Sequence, residues 1–267
     1  MVQEVKQIES DVANDDEINR HGFELVIESI DTVEPTSPDN TEIERPTYEK
    51  TVSPGRLKTT GSVVIHTRAA HELFYGRKGD SNSGINRIVG LTLFATNANN
   101  LSLLCKRDDP YAEAVLIKIE ELFSMFEEDL SKKIIRLKQI LDGMGGVVID
   151  FHESIEPVSI PLEFGTPYGF IAARNLSQYD KLVTLAYSAK QTGLIVQSDW
   201  HQYVVKTRTR LRHIFQVSTR YRYGGATRDD IAANNAIARE VIEKYGDLSS
   251  EILNRNKRAQ YVPHEQS

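Results

Sequence analysis

The chain has 267 residues, enough for one or two domains, and its 40% hydrophobic and 26% charged residues are an ordinary balance for a protein with a packed core. No run of about 18 apolar residues occurs, which excludes a helical membrane span, and the acidic N-terminus has no basic-then-apolar leader, so a cytoplasmic location and no membrane partner are expected. The net charge of −6 hides an asymmetry: residues 1–55 carry 14 acids against four bases, and the remainder 24 acids against 28 bases. An acidic tail before a mildly basic body is a hint of nucleic acid.

Residues 1–55 are polar, with Pro35, Pro38, Pro46 and Pro54 spread through the second half and one apolar island from Phe23 to Ile30. Such composition cannot offset chain entropy by burial, so a mostly disordered tail is expected. The island reads either as a docking segment or as part of a solubilising extension.

Order is expected from about Arg56. Lys58 to Thr67 is rich in β-branched residues and reads as a strand. Arg68 to Tyr75 has helical character, Gly76 to Gly84 is a polar loop, and Ile85 to Asn97 is apolar almost all round, as a buried helix is. Cys105 stands alone in an apolar stretch and reads as a buried, inert thiol.

Asp109-Pro110 opens a long helix that reaches Asp142 within residues 106–146, stopped by Gly143, Gly145 and Gly146. Its apolar residues, from Leu116 through Phe123 and Leu130 to Leu141, fall at steps of three and four. That describes a seam which packs within the chain or against a mate. Residues 147–267 read as a mostly helical region with a small β element. Val147–Phe151 and Val158–Phe164 are its strands, and Ser177–Thr192, Ser198–Gln216 and Thr227–Tyr245 its helices, with Ser198 and Thr227 as N-caps.

The expected class is therefore α+β. Strand, short helix, turn and apolar helix over residues 56–105 is the order of a ribbon-helix-helix unit. In that fold each protomer of a homodimer gives one strand to an antiparallel ribbon that enters the major groove, and only the dimer buries the second helix. Alternation puts Gly61, Val63 and Ile65 inward and Lys58, Thr60, Ser62, Val64, His66 and Arg68 outward, where they would read bases. An ordinary amphipathic edge strand fits the same pattern. Arg77, Lys78 and Arg87, with Ser81 or Ser83 capping the second helix, would hold phosphates; a solvated charged loop is the plain alternative.

Lys206, Arg210 and His213 share one helix face, with Arg208 and Arg212 on another, which reads as a second phosphate-binding surface, as a partner for the acidic tail, or as an ordinary solvated helix face. The adjacent carboxylates Asp108 and Asp109 read better as a helix cap before Pro110 than as catalysts. Asp150, His152 and Glu153 lack a further ligand at metal spacing. Neither a phosphate loop, a GxSxG elbow nor an HExxH run occurs, so no enzyme activity, cofactor or metal is expected.

The segments IHTRAAHELFYGR (65–77), KRDDPYAE (106–113), IPLEFGTPYGFIAARNLSQYDKLV (160–183) and GATRDDI (225–231) resemble a protein family of integrating conjugative elements and conjugative plasmids that includes AcaB-like transfer activators. The resemblance implies a ribbon-helix-helix fold, binding of double-stranded DNA and activation of conjugative-transfer genes, with RNA polymerase a possible partner. The acidic tail finds no counterpart in it. A non-enzymatic accessory or assembly protein of the conjugation apparatus is the alternative function.

Overall fold

The computed structural model describes residues 61–79, 86–143 and 156–262. The acidic tail, its apolar island and the expected strand Val147–Phe151 lie outside those residues, as do Asp150, His152 and Glu153. Within them the order is β1 (Gly61–Ile65), α1 (Arg68–Tyr75), α2 (Leu91–Cys105), α3 (Pro110–Asp142), β2 (Val158–Leu162) and α4 (Pro167–Gln191). After α4 come α5 (Gln197–Trp200), a π-helical stretch (His201–Lys206), α6 (Thr207–Val217), α7 (Arg228–Ala233), α8 (Ala236–Tyr245) and α9 (Ser250–Leu253). The class is α+β, mostly helical, with one small sheet.

The sheet is a two-stranded antiparallel ribbon, β1 with β2, registered Gly61↔Leu162, Ser62↔Pro161, Val63↔Ile160, Val64↔Ser159 and Ile65↔Val158. Both strands alternate, and each buries its third and fifth residues: Val63, Ile65, Ile160 and Leu162. An isolated pair of strands is marginal in water, and this shared apolar face is what seats it on the helices. Here the sequence expectation needs correction. The second strand comes from the same chain, not from a mate.

The burial of α2 is corrected in the same way. Leu91, Phe94, Ala98 and Leu101 are 0–3% exposed within one chain, because α3, α4 and α6 pack on the helix. Phe94 stands at the junction, its ring 5.7 Å from Phe123 of α3 and 5.1 Å from Phe215 of α6. A dimer is not needed to cover this helix. Nor does it begin at Ile85: its N-cap is Gly90, and Ile88 is instead bridged to Arg77, with N–O distances of 2.8 and 2.9 Å. A Cβ on Gly90 would lie 2.3 Å from the Gly76 amide nitrogen, so two backbones meet where only glycines fit.

The long helix stands where its caps place it. Pro110 takes the first turn and Asp109 accepts from the Tyr111 and Ala112 amides. Burial keeps the Asp109 carboxyl above the usual carboxylate range, against the lowering effect of its bond from the Tyr221 hydroxyl. The seam residues Leu116, Ile119, Phe123, Phe126, Leu130, Ile134, Leu137 and Leu141 are all buried within the chain. A buried ion network ties the helix start to the C-terminal region: Glu113 pairs with Arg228 and Arg258, and Arg228 also pairs with Asp108.

Other boundaries move. α4 opens at Pro167, ten residues before Ser177, because Pro167 occupies its first turn. Ser198 lies inside α5 and is not its cap. Thr227 and Asp230 do form a capping box, but the helix they open ends at Asn234, whose φ of 48° is left-handed, and a new helix starts after Asn235. Cys105 is buried, and desolvation first, then Glu113, pushes its thiol up to about 12.

Candidate nucleic-acid interface

The ribbon turns one face to the core and the other outward. Ser62 and Val64 of β1 and Ser159 and Pro161 of β2 are exposed, and the register sets Ser62 opposite Pro161 and Val64 opposite Ser159. Two hydroxyls, each able to donate or accept, therefore flank a valine that is 44% exposed. A ribbon of this width fits the major groove, where hydroxyls meet base edges and a methyl group meets the thymine methyl.

The ribbon's end is tied down. Asp180, 2% exposed on α4, accepts from the His66 amide at 2.7 Å, the Thr67 amide at 2.9 Å and the Thr67 hydroxyl at 2.6 Å. Thr67 in turn accepts from the Ala70 amide and so caps α1. One carboxylate thus fixes the strand's exit, the helix's entry and their angle to α4. His66 is half-buried, and its Nδ1 has no hydrogen-bond partner among the described residues. Arg68 lies past the turn, in the first turn of α1, where it pairs with Glu72 at 3.2 Å with its side chain 90% exposed. Ser62 and Val64 are thus the described outward residues of the strand, while His66, half-buried, and Arg68 stand at the ribbon's end. Lys58 and Thr60 lie outside the described residues.

Beside the ribbon, a groove of about 750 Å³ runs between β1 and α4, lined by Ser62, Val64, His66, Lys138, Arg174 and Lys181 among others. Arg174 pairs with Glu127 at 2.7 Å.

The phosphate candidates are dispersed differently from the expectation. Arg77, Lys78 and Arg87 are exposed near the Arg77–Ile88 bridge, and Arg77 donates to the Asn86 carbonyl. Arg87 precedes α2 instead of lying in its first turn. Ser83 and Ser81 fall outside the described residues, and with Gly90 as N-cap neither caps α2. The amide end of α2 is closed, since Gly90 and Leu91 are buried against the Gly76 backbone. Phosphate contacts at this end would come from side chains, not from the helix terminus.

The second basic surface is partly neutralised. Lys206 and His213 are exposed, but Arg210 pairs with Asp129 at 2.6 Å. His213 is held below the ordinary imidazole value, by desolvation first and by Arg220 and Lys118 next. On the other face, Arg208 reaches Glu72 at 3.4 Å, and Arg212 has a buried Nε without a described partner. Burial, then the neighbouring Arg208, lowers the Arg212 value.

Sequence reasoning missed Ser159, Lys138, Arg174 and Lys181. The alternation of Ser159 and Pro161 with Ile160 and Leu162 was a readable signal for the first. Positions 174, 177, 178, 181 and 184 share a polar stripe at helical spacing, and a helix beginning at Ser177 leaves its first member out.

A family model described as transcriptional regulator AcaB matches residues 53–265. A crystal structure of selenomethionine-containing AcaB from uropathogenic E. coli aligns with a TM-score of 0.49 and 14% identity, covering 77% of this chain and 100% of that one. No curated protein matches the chain. Among the described residues no helix is long and apolar enough to cross a membrane.

Proposed function

The chain belongs to the AcaB family of transcriptional regulators, and from that premise we propose that it binds duplex DNA sequence-specifically through the outward face of its β1–β2 ribbon. The observation that carries this reading is the face itself: Ser62, Val64, Ser159 and Pro161 exposed on a two-stranded ribbon whose other face is the core. Ser62, Val64 and Ser159 read base edges, with His66 and Arg68, and with Lys58 and Thr60 on the preceding segment. Arg77, Lys78 and Arg87 hold phosphates, which sets register without reading sequence. Lys206, Arg210 and His213 form a secondary surface that extends the footprint.

The resemblance to conjugative-element proteins supplies the finer parts. The regulated genes are those of conjugative transfer, the effect is activation through RNA polymerase, and the acting species is a homodimer on paired half-sites. Burial of α2 inside one chain means that such a dimer forms for DNA spacing and not for folding.

Footprinting of the purified protein on transfer-gene promoters tests the proposal. The expected result is a protected site with affinity that falls steeply with salt. An accessory protein of the transfer apparatus would leave those promoters unprotected.

A further inference from the structure

β1 has two edges, and among the described residues only one is paired. In an antiparallel pair, residues alternate between those that exchange backbone hydrogen bonds and those that do not. Pro161, opposite Ser62, has no N–H, so the bonded pairs are those of Gly61, Val63 and Ile65. The amides and carbonyls of Ser62 and Val64 therefore point away from β2. His66 confirms the direction, since its amide, in the same phase, points to Asp180 on α4.

The free edge thus faces the groove beside α4. Its ends are marked. A Cβ on Gly61 would lie 3.9 Å from the Phe170 ring, and Asp180 closes the other end at His66. Ten residues of helix from Phe170 to Asp180 rise about 15 Å, and the strand from Gly61 to His66 advances about 16 Å. The lining from Phe170 to Asp180 is therefore about as long as β1.

Its charge is one-sided. Lys138 and Lys181 line it, exposed and without a hydrogen bond or ion pair among the described residues, together with Arg174. The acid in the lining, Asp180, is occupied by His66 and Thr67. The unpartnered Nδ1 of His66 belongs to the same wall.

We propose that this groove takes an acidic, extended peptide of a partner protein, which adds to the Ser62–Val64 edge as a third strand and places its carboxylates against Lys138 and Lys181. Main-chain hydrogen bonds to the free edge supply affinity, and the cations select the sign of the side chains. A second copy of this chain on the same edge would set its own Lys138 and Lys181 around the same strands, like charge facing like charge. The consequence for DNA rests on the reading above: the major groove admits a two-stranded ribbon, so a third strand and the duplex exclude one another.

The test uses the full-length protein and a blocked peptide of about five alternating Glu and Thr residues, the length of the groove at about 3.3 Å per residue. A Lys-Thr peptide of equal length is the control. Fluorescence anisotropy should show the acidic peptide binding at least about tenfold more tightly than the control, since the cations set the sign. At saturation, amide exchange at Ser62 and Val64 should slow by about tenfold or more. The surface variant Lys138→Glu/Lys181→Glu should reverse the preference while keeping the wild-type circular dichroism. The proposal is overturned by failure of both peptides to bind, by equal binding of the two, or by unchanged exchange at Ser62 and Val64. It is also overturned if promoter duplex, and not peptide, slows those amides. Failure of the DNA reading is separate, since it would show as loss of promoter binding with the peptide result intact.

Discussion

Asp180 and Thr67 lie 113 residues apart in sequence and meet through two hydrogen bonds, the Thr67 amide and hydroxyl both donating to Oδ1 of Asp180. Together with the His66 amide on Oδ2, they make one carboxylate the hinge pin between ribbon, α1 and α4. Replacing Asp180 by Ala leaves three donors without their acceptor in a region from which water is largely excluded. The expected loss is about 3 kcal/mol, from the cost of unsatisfied buried donors, or roughly 6–12 °C in Tm for a chain of this size. Asp180→Asn, which keeps one carbonyl oxygen, should lose less. Thermal denaturation of the two variants side by side checks the order.

The buried network at the start of α3 makes a different prediction. Glu113 and Arg228 are 1% and 7% exposed and paired with one another. Arg228→Met leaves the buried Glu113 carboxylate to Arg258 and the Ala259 amide alone and should cost about 1–3 kcal/mol, while the double variant Glu113→Leu/Arg228→Met should recover part of it, because a hydrophobic pair of similar volume often replaces a buried ion pair without loss. A urea series on wild type, both single variants and the double gives the coupling. A double variant no better than the worse single one would place the damage in packing and not in charge.

Cys105 offers a check on the core. Its thiol is buried and pushed up to about 12, so at pH 8 it carries almost no thiolate in the folded chain. Alkylation by iodoacetamide should be slow under native conditions and should follow the unfolding transition in urea. Rapid native labelling would mean that α2 and α3 part readily at this point.

Arg77→Ala and Arg87→Ala should weaken binding to all duplexes alike and each lower the slope of log affinity against log salt by about one unit. Arg210→Ala should do less, because Asp129 already holds its guanidinium. Titrations at several salt concentrations separate the two cases.

Much of the fold was legible because it is local. The bounds of α1, the Asp109 cap, the Thr227–Asp230 capping box and the inward phase of Val63 and Ile65 all follow from residues within a few positions of one another. The pairing of β1 with β2 was not legible. It joins Ile65 to Val158 and Gly61 to Leu162 across the whole of α1, α2 and α3, and the apolar alternation of β1 suits a strand of the same chain as well as one from a mate. The start of α2 was misread because Ile85 to Gly90 is as apolar as a helix. What decides it is the meeting of Gly76 and Gly90, a contact that periodicity does not carry. Of the interface, the strand's outward residues were visible in the alternation. The lysines across the groove were not, since they come from α3 and α4 and only the fold brings them to Ser62 and Val64.

The central claim is that the ribbon reads sequence, and competition binding of Ser62→Ala and Ser159→Ala tests it most directly. Each variant is titrated against a footprinted promoter duplex and against a scrambled duplex of equal length. A lost base contact is expected to cost about 1–3 kcal/mol, roughly ten- to hundredfold, on the matched duplex, with affinity for the scrambled duplex nearly unchanged. Variants that bind both duplexes as the wild type does would contradict the account, and reading would then pass to the surface of Lys206, Arg210 and His213.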